Sequence, residues 1–301
     1  MPARVIRVAA AQYPIDEITS FAAFEEKLSR WVQQAVAHGA QLLVFPEYGA
    51  MELARIAGRQ ISVDLHGSIE ALQFHIGHYE AAYAELAKSC GVFILAGSAP
   101  TRLTDGRFVN RAQFFSPKGQ SGFQQKHIMT RFEGEEWGIS PSAGLYVFDT
   151  GIAKIGIAIC YDSEFPLIAR TLAESGAEIL IVPSCTESLA GYYRVRQACA
   201  ARALENQIYV IQSPTVGEAP WSVAVDVNVG AAGFFAPPDH RFPADGVLAL
   251  GTLNEAQWVY ATLDLDLIAE VRKDGDVLNA RDWPLQPGAP VLPAAKLVTL
   301  A

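Results

Sequence analysis

Three segments of the chain carry residues suited to acyl-transfer chemistry. "LVFPEYG" places Glu47 directly after an apolar strand and a proline. "FQQKHIMTRFEGEEWG" holds Lys126, and "IAICYDSEFP" runs an apolar stretch straight into Cys160, followed by an acidic loop closed by a proline. A carboxylate, an ammonium and a thiol, each at a strand end, form a working set. The thiol attacks a carbonyl or nitrile carbon, the carboxylate takes and returns protons, and the lysine steadies the developing oxyanion. The thiolate is the competent nucleophile; a nearby ammonium lowers the thiol pKa while the glutamate accepts the proton. Alone, Cys160 would read as a small buried hydrophobe and Lys126 as an exposed hairpin lysine. Together they read as an activated nucleophile with its partners.

These residues need a frame that brings three strand ends together, and the chain alternates strand-like and helix-like runs. "VIRVAAAQ" (5–12), "QLLVFP" (41–46) and "VFILAGSA" (92–99) read as buried strands. Between them, Ser20 caps a helix with Phe21, Phe24, Leu28, Trp31, Val32 and Ala35 on one face, ended at Gly39. A second helix is expected after Ser68. Residues 107–127 predict a hairpin about the turn "SPKG". "IAKIGIAIC", a helix over 166–175, "EILIVP", a helix over 191–205 and "IYVIQSP" continue the alternation. "HGAQLLVFPE" (38–47) and "SGAEILIVPS" (175–184) share a pattern, and each follows a strand and a helix, as in two related halves. Such alternation predicts a layered α/β fold with its chemistry in loops at strand ends.

Composition narrows the function. Half of the 301 residues are hydrophobic and 18% are charged, too apolar for a disordered chain. A net charge of −9 argues against a phosphate-backbone partner. No apolar stretch reaches membrane-spanning length, and the N-terminal apolar patch is too short for a signal peptide. Cys90, Cys160, Cys185 and Cys199 lack C-x-x-C spacing and the six histidines do not cluster, so no metal site is expected. The sparse cysteines read as cytoplasmic usage.

With these motifs in chain order, the sequence resembles the nitrilase superfamily of carbon–nitrogen hydrolases. "FPE" carries the glutamate, "QKHIM" resembles the lysine motif and "CYDSEFP" the nucleophile elbow, while "GAEILIVPS" and "RALENQIYVIQSPTVG" resemble the segments that follow. The resemblance implies a four-layer α-β-β-α sandwich of two mixed sheets flanked by helices. It implies a single domain over 1–301, with a core over about 4–265 and a C-terminal arm over 266–301 at a subunit interface of a homodimer or larger homo-oligomer. Glu47 would be the general base and Lys126 the stabiliser of the tetrahedral intermediate, aided by the backbone N–H of Tyr161. Cys160 would form the thioester, with no metal or organic cofactor. The family supplies a second glutamate after the lysine, and among Glu133, Glu135 and Glu136 the register favours Glu135. Glu136, Trp137, Glu164 and Cys185 are further candidates for substrate contact. The implied activity is hydrolysis of a small amide; a nitrilase or an N-carbamoyl hydrolase would use the same triad. An idle binding scaffold or a redox-sensing Cys160 are readings from other classes. His127 is expected to be structural, and Arg202 with Glu205 to form a helix ion pair.

Overall fold

The computed structural model describes residues 4–287 and 295–300. Its first half runs β1 (Val5–Pro14), α1 (Phe21–Ala37), β2 (Leu42–Val44), α2 (Arg59–Ser62), α3 (Leu65–Cys90), β3 (Phe93–Arg102), β4 (Phe108–Phe115) and β5 (Ser121–Gln125). Next come β6 (Tyr146–Asp149), β7 (Lys154–Ile157), α4 (Pro166–Glu174), β8 (Ile179–Ser184), α5 (Leu189–Asn206) and β9 (Tyr209–Glu218). The remainder is β10 (Val227–Asn228), β11 (Gly233–Phe235), β12 (Val247–Leu250), β13 (Gln257–Asp264), α6 (Leu265–Asp274), α7 (Asn279–Asp282) and β14 (Lys296–Thr299).

The strands form two mixed sheets. In the first, β1, β2 and β3 are parallel, β4 and β5 extend it antiparallel, and β13 pairs antiparallel with β1. In the second, β7, β8 and β9 are parallel, with β6 and β11 antiparallel on either side. The sheets join where Tyr13 and Pro14 at the end of β1 pair with Thr215 and Val216 of β9. Side chains alternate across each strand. Val8, Ala10, Leu42, Val44 and Phe114 therefore face inward, in one core with Val147, Phe148, Ile155 and Ile181 of the other sheet. Ala9, Ala11, Leu43 and Phe45 face outward, under Phe24 and Leu28 of α1 and Leu72 and Tyr83 of α3. Leu172 of α4 and Val195, Cys199 and Ala203 of α5 cover the second sheet. Burial on both faces explains why "ILIVP" is apolar throughout and not alternating. The result is the expected α-β-β-α sandwich.

Ser20 caps α1 as anticipated, accepting the Ala23 N–H at 3.2 Å. The second long helix begins earlier than expected, at Leu65, because Asp64 accepts the His66 N–H and caps it; Ser68 lies inside its first turn. Likewise α5 starts at Leu189, capped by Ser188. The described part of 266–301 is not an extended arm. Leu265, Ile268 and Val271 of α6 are buried against the body, and β14 adds a parallel strand beside β6 of the same chain. The apolar period of α6 is masked in the sequence by the Pro-rich composition that follows it. Residues 288–294 of that tail lie outside the described residues.

The halves share β1-α1-β2 and β7-α4-β8 units with parallel strands, so Glu47 and Cys160 both leave C-terminal strand ends. Close packing holds the first of these loops. Gly97 has φ +80°, and a Cβ there would lie 2.0 Å from the Pro46 carbonyl oxygen, one residue before Glu47. Gly97→Ala is expected to destabilise the protein by at least about 2 kcal/mol, combining left-handed strain with that clash. Urea denaturation checks this; an unchanged midpoint would contradict it.

Candidate active site

Glu47 and Cys160 each stand at a left-handed turn. Cys160 itself has φ +49°, and Tyr48, directly after Glu47, has φ +57°. For residues other than glycine such backbone costs about 1–3 kcal/mol and persists only where the surroundings enforce it. At Cys160 they do. The chain turns from β7 into a tight helical turn over Cys160–Glu164, and Pro166 starts α4. Ser163 donates its hydroxyl to the Cys160 carbonyl at 2.6 Å, and Arg202 donates to the Ser163 carbonyl at 2.9 Å. Arg202 forms the expected pair with Glu205 as well, at 2.6 Å. At Tyr48 the backbone N–H donates to Ser98 Oγ at 3.2 Å.

Lys126 follows β5 and is buried between two carboxylates. Its Nζ donates to Glu47 Oε1 at 2.8 Å and to Glu133 Oε1 and Oε2 at 2.8 and 2.7 Å. The lysine and both carboxylates are at most 3% exposed. Asn110 of β4 donates to Glu47 Oε1 at 2.9 Å and to Glu133 Oε1 at 3.3 Å. Glu133 also accepts the Tyr48 hydroxyl at 2.5 Å and both the N–H and hydroxyl of Thr130 at 2.8 and 2.9 Å. Glu47 Oε2 accepts the Cys185 N–H at 2.9 Å. The Cys160 thiol lies among these groups: the charges of Glu47 and Lys126 both act on it, and its Sγ donates to the Cys185 carbonyl at 3.9 Å.

The two carboxylates differ in how well they are satisfied. For Glu133, burial opposes the charge, but Lys126, Tyr48 and Thr130 outweigh it and hold the carboxyl below its usual range. For Glu47, burial dominates and the neighbouring Glu133 adds to it, so its pKa is raised despite Lys126. One carboxylate is thus a fixed charge and the other the readier proton acceptor. Burial works against the Lys126 charge, yet Glu47 and Glu133 keep it ionised, its pKa well above normal. Burial and the Glu47 charge push the Cys160 thiol up, so it rests protonated.

The sequence-predicted residues separate clearly. Glu47, Lys126 and Cys160 are brought together. Glu135 is not the second carboxylate: it is exposed and pairs with Arg131 at 2.8 Å on the surface. A π-helical turn over Phe132–Glu136 turns Glu133 inward instead, a register that the loop sequence does not disclose. Tyr161, Glu136, Trp137, Glu164 and Cys185 all line a cavity of about 580 Å³ that opens onto Cys160. Trp137 is buried, with its ring 4.7 Å from that of Tyr48 and its Nε1 donating to the Leu65 carbonyl. Glu164 pairs with Arg194 at 3.2 Å, and Glu136 is exposed at the rim. Cys185 serves Glu47 through its backbone, while burial, then Glu47, pushes its thiol up to about 12. His127 lies outside this cavity. Asn110, Tyr48 and Thr130 are site residues that sequence reasoning misses, as is the cavity wall at 223–227. Of these, Asn110 alone carries a signal, since asparagine is depleted in strands and here occupies one.

An α-β-β-α sandwich with a cysteine, a lysine and two glutamates at the mouth of its parallel strands defines a class of hydrolase folds. The sequence profile of the carbon-nitrogen hydrolase family matches residues 7–273, and the chain belongs to that family. It is 34% identical over 277 residues to the probable hydrolase YhcX of Bacillus subtilis, covering 92% of this chain. The chain spans only about half of that relative, 53% of its length. It is 27% identical to the omega-amidase NIT2-B of Xenopus laevis, over 85% of this chain and 88% of that one. In fold it matches a carbon-nitrogen hydrolase from Helicobacter pylori with a TM-score of 0.73, at 21% identity and covering 94% of both chains.

Two substitutions test this electrostatic arrangement. Lys126→Met is expected to cost about 3–5 kcal/mol of unfolding free energy, because it strands two buried carboxylates. Glu135→Ala is expected to change it by less than about 0.5 kcal/mol. Denaturant titrations of both proteins check the pair; a near-neutral Lys126→Met would contradict the buried-charge account.

Proposed function

We propose that this chain hydrolyses a carbon–nitrogen bond of a small amide through a thioester on Cys160. The observation that carries this is the convergence of the Cys160 thiol and the raised-pKa Glu47 beside the buried Lys126, at the floor of a cavity sized for a small molecule. Family membership and the omega-amidase relative support the same reaction class.

The steps follow from where protons can go. Glu47 takes the Cys160 proton as sulfur bonds to the carbonyl carbon and the carbonyl π pair moves onto oxygen, so the negative charge passes from Glu47 to the oxyanion and the net charge of the buried cluster is unchanged. Lys126 Nζ is already held by three contacts to Glu47 and Glu133 oxygens, so the lysine supports the oxyanion chiefly by its charge. The Tyr161 N–H, next to the nucleophile, is the proposed direct donor. Glu47 then returns the proton to the departing nitrogen, the C–N bond breaks, and ammonia or an amine leaves a thioester on Cys160. Water attacks the thioester as Glu47 removes its proton; the acid departs and the sulfur regains a proton. Glu133 stays ionised throughout and fixes Lys126 in place.

The decisive experiment is ammonia release from a panel of short amides, with nitriles and N-carbamoyl amines alongside. Wild type is expected to turn over at least one amide, and Cys160→Ala to lose about 10³-fold or more of that rate. Equal rates for the two proteins would defeat the proposal, and turnover confined to nitriles or carbamoyl amines would move it to the sister activity.

A further inference from the structure

Asp162 lies two residues beyond the nucleophile and is only 1% exposed, yet the chemistry above does not use it. Its carboxylate reaches across to the segment that follows Lys126. Oδ1 accepts the Ile128 N–H at 2.8 Å and the His127 N–H at 3.2 Å, and Oδ2 accepts the His127 N–H at 3.1 Å. The other attachments of Lys126's backbone run elsewhere: its N–H donates to the Asn110 carbonyl and its carbonyl accepts from Ser142. No other hydrogen bond among the described residues joins the 126–128 segment to the turn that carries Cys160.

We propose that Asp162 is a positioning residue, whose buried carboxylate sets the spacing between Lys126 and Cys160 by holding the two amides after the lysine to the nucleophile turn. The proposal rests on the thioester mechanism above. A displacement of about 1 Å between a catalytic charge and the reacting atoms costs on the order of 10²-fold in rate, so a clamp at this joint acts directly on catalysis.

The clamp has a protonation state of its own. Burial pushes the Asp162 carboxyl up to about 7; Lys126 and the His127 and Ile128 amides pull it back, and Glu133 adds to the rise. The charged groups facing it are Lys126, Glu133 and, from α5, Arg202 on the neighbouring Ser163 carbonyl. The adjacent His127 ring is held neutral, its pKa lowered by burial. As pH falls through about 7 the carboxyl gains a proton, one acceptor oxygen becomes a donor, and the grip on His127 weakens.

Asp162→Ala and Asp162→Asn test this, with thermal melts to establish that each is folded. The alanine variant is expected to lose about 100-fold in kcat with KM changed by less than about threefold. The asparagine variant keeps one carbonyl acceptor for Ile128. It is expected to lose about tenfold in kcat and to lose only the Asp162 step, expected near pH 7 in wild type, from the acid side of the kcat profile, leaving the fall set by protonation of Glu47. A folded variant with wild-type kcat and pH profile would overturn the proposal; where alanine prevents folding, the asparagine result decides. Should wild type release no ammonia from any amide, the hydrolase mechanism fails by itself. The clamp is then read from the alkylation rate of Cys160 by iodoacetamide. A change of about tenfold or more in either variant supports it, and equal rates refute it.

Discussion

The site depends on one ammonium held between two carboxylates, all three at most 3% exposed. Burying Lys126 without partners would cost several kcal/mol, and burying Glu47 or Glu133 alone would cost similarly. Each makes the others tolerable, and the remaining hydrogen-bond donors decide which carboxylate stays charged. Glu133 collects Tyr48, Thr130 and Asn110 in addition to the lysine; Glu47 shares Asn110 and has only the Cys185 amide besides. That inequality converts two chemically identical side chains into a permanent counter-ion and a proton carrier.

The sandwich supplies this arrangement because each of its sheets ends parallel strands at the same rim. Glu47 comes from the first sheet, and Cys160 and Cys185 from the second. Lys126 and Glu133 come from the segment after the β4–β5 hairpin. No single element holds two members of the Glu47–Lys126–Cys160 set. Their spacing is therefore a property of inter-sheet packing and of the few polar contacts that cross it, among them Ser213, whose single hydroxyl proton is shared between the Ala11 and Val44 carbonyls at 2.8 and 3.0 Å. Left-handed turns at Tyr48 and Cys160 store strain that this packing sustains.

Much of this is legible in the amino-acid sequence. Fully apolar runs such as "ILIVP" declare strands covered on both faces, and the paired strand–helix–strand patterns declare two similar halves. The three principal residues can be found because each follows a recognisable strand or hairpin. Orientation within irregular backbone is not legible in the same way. "FEGEEWG" offers three glutamates in four residues, and only the π-helical turn determines that Glu133 points inward while Glu135 meets Arg131 at the surface. The tail misleads for a related reason: its proline content suggests an arm, whereas the buried face of α6 and the edge of β6 give its described part a place on the same chain. The wall at 223–227 reaches the cavity only through tertiary folding, and nothing in its residue types marks it.

The central claim, a covalent bond to Cys160, is most directly tested by rapid-quench mass spectrometry of the intact protein mixed with a turned-over amide, followed by peptide mapping. The account predicts an adduct whose mass equals the amide less ammonia or amine, confined to Cys160, and slower both to form and to decay in Glu47→Gln, where the base for acylation and deacylation is gone. Steady turnover with no adduct at any quench time, or an adduct on another residue, would contradict it.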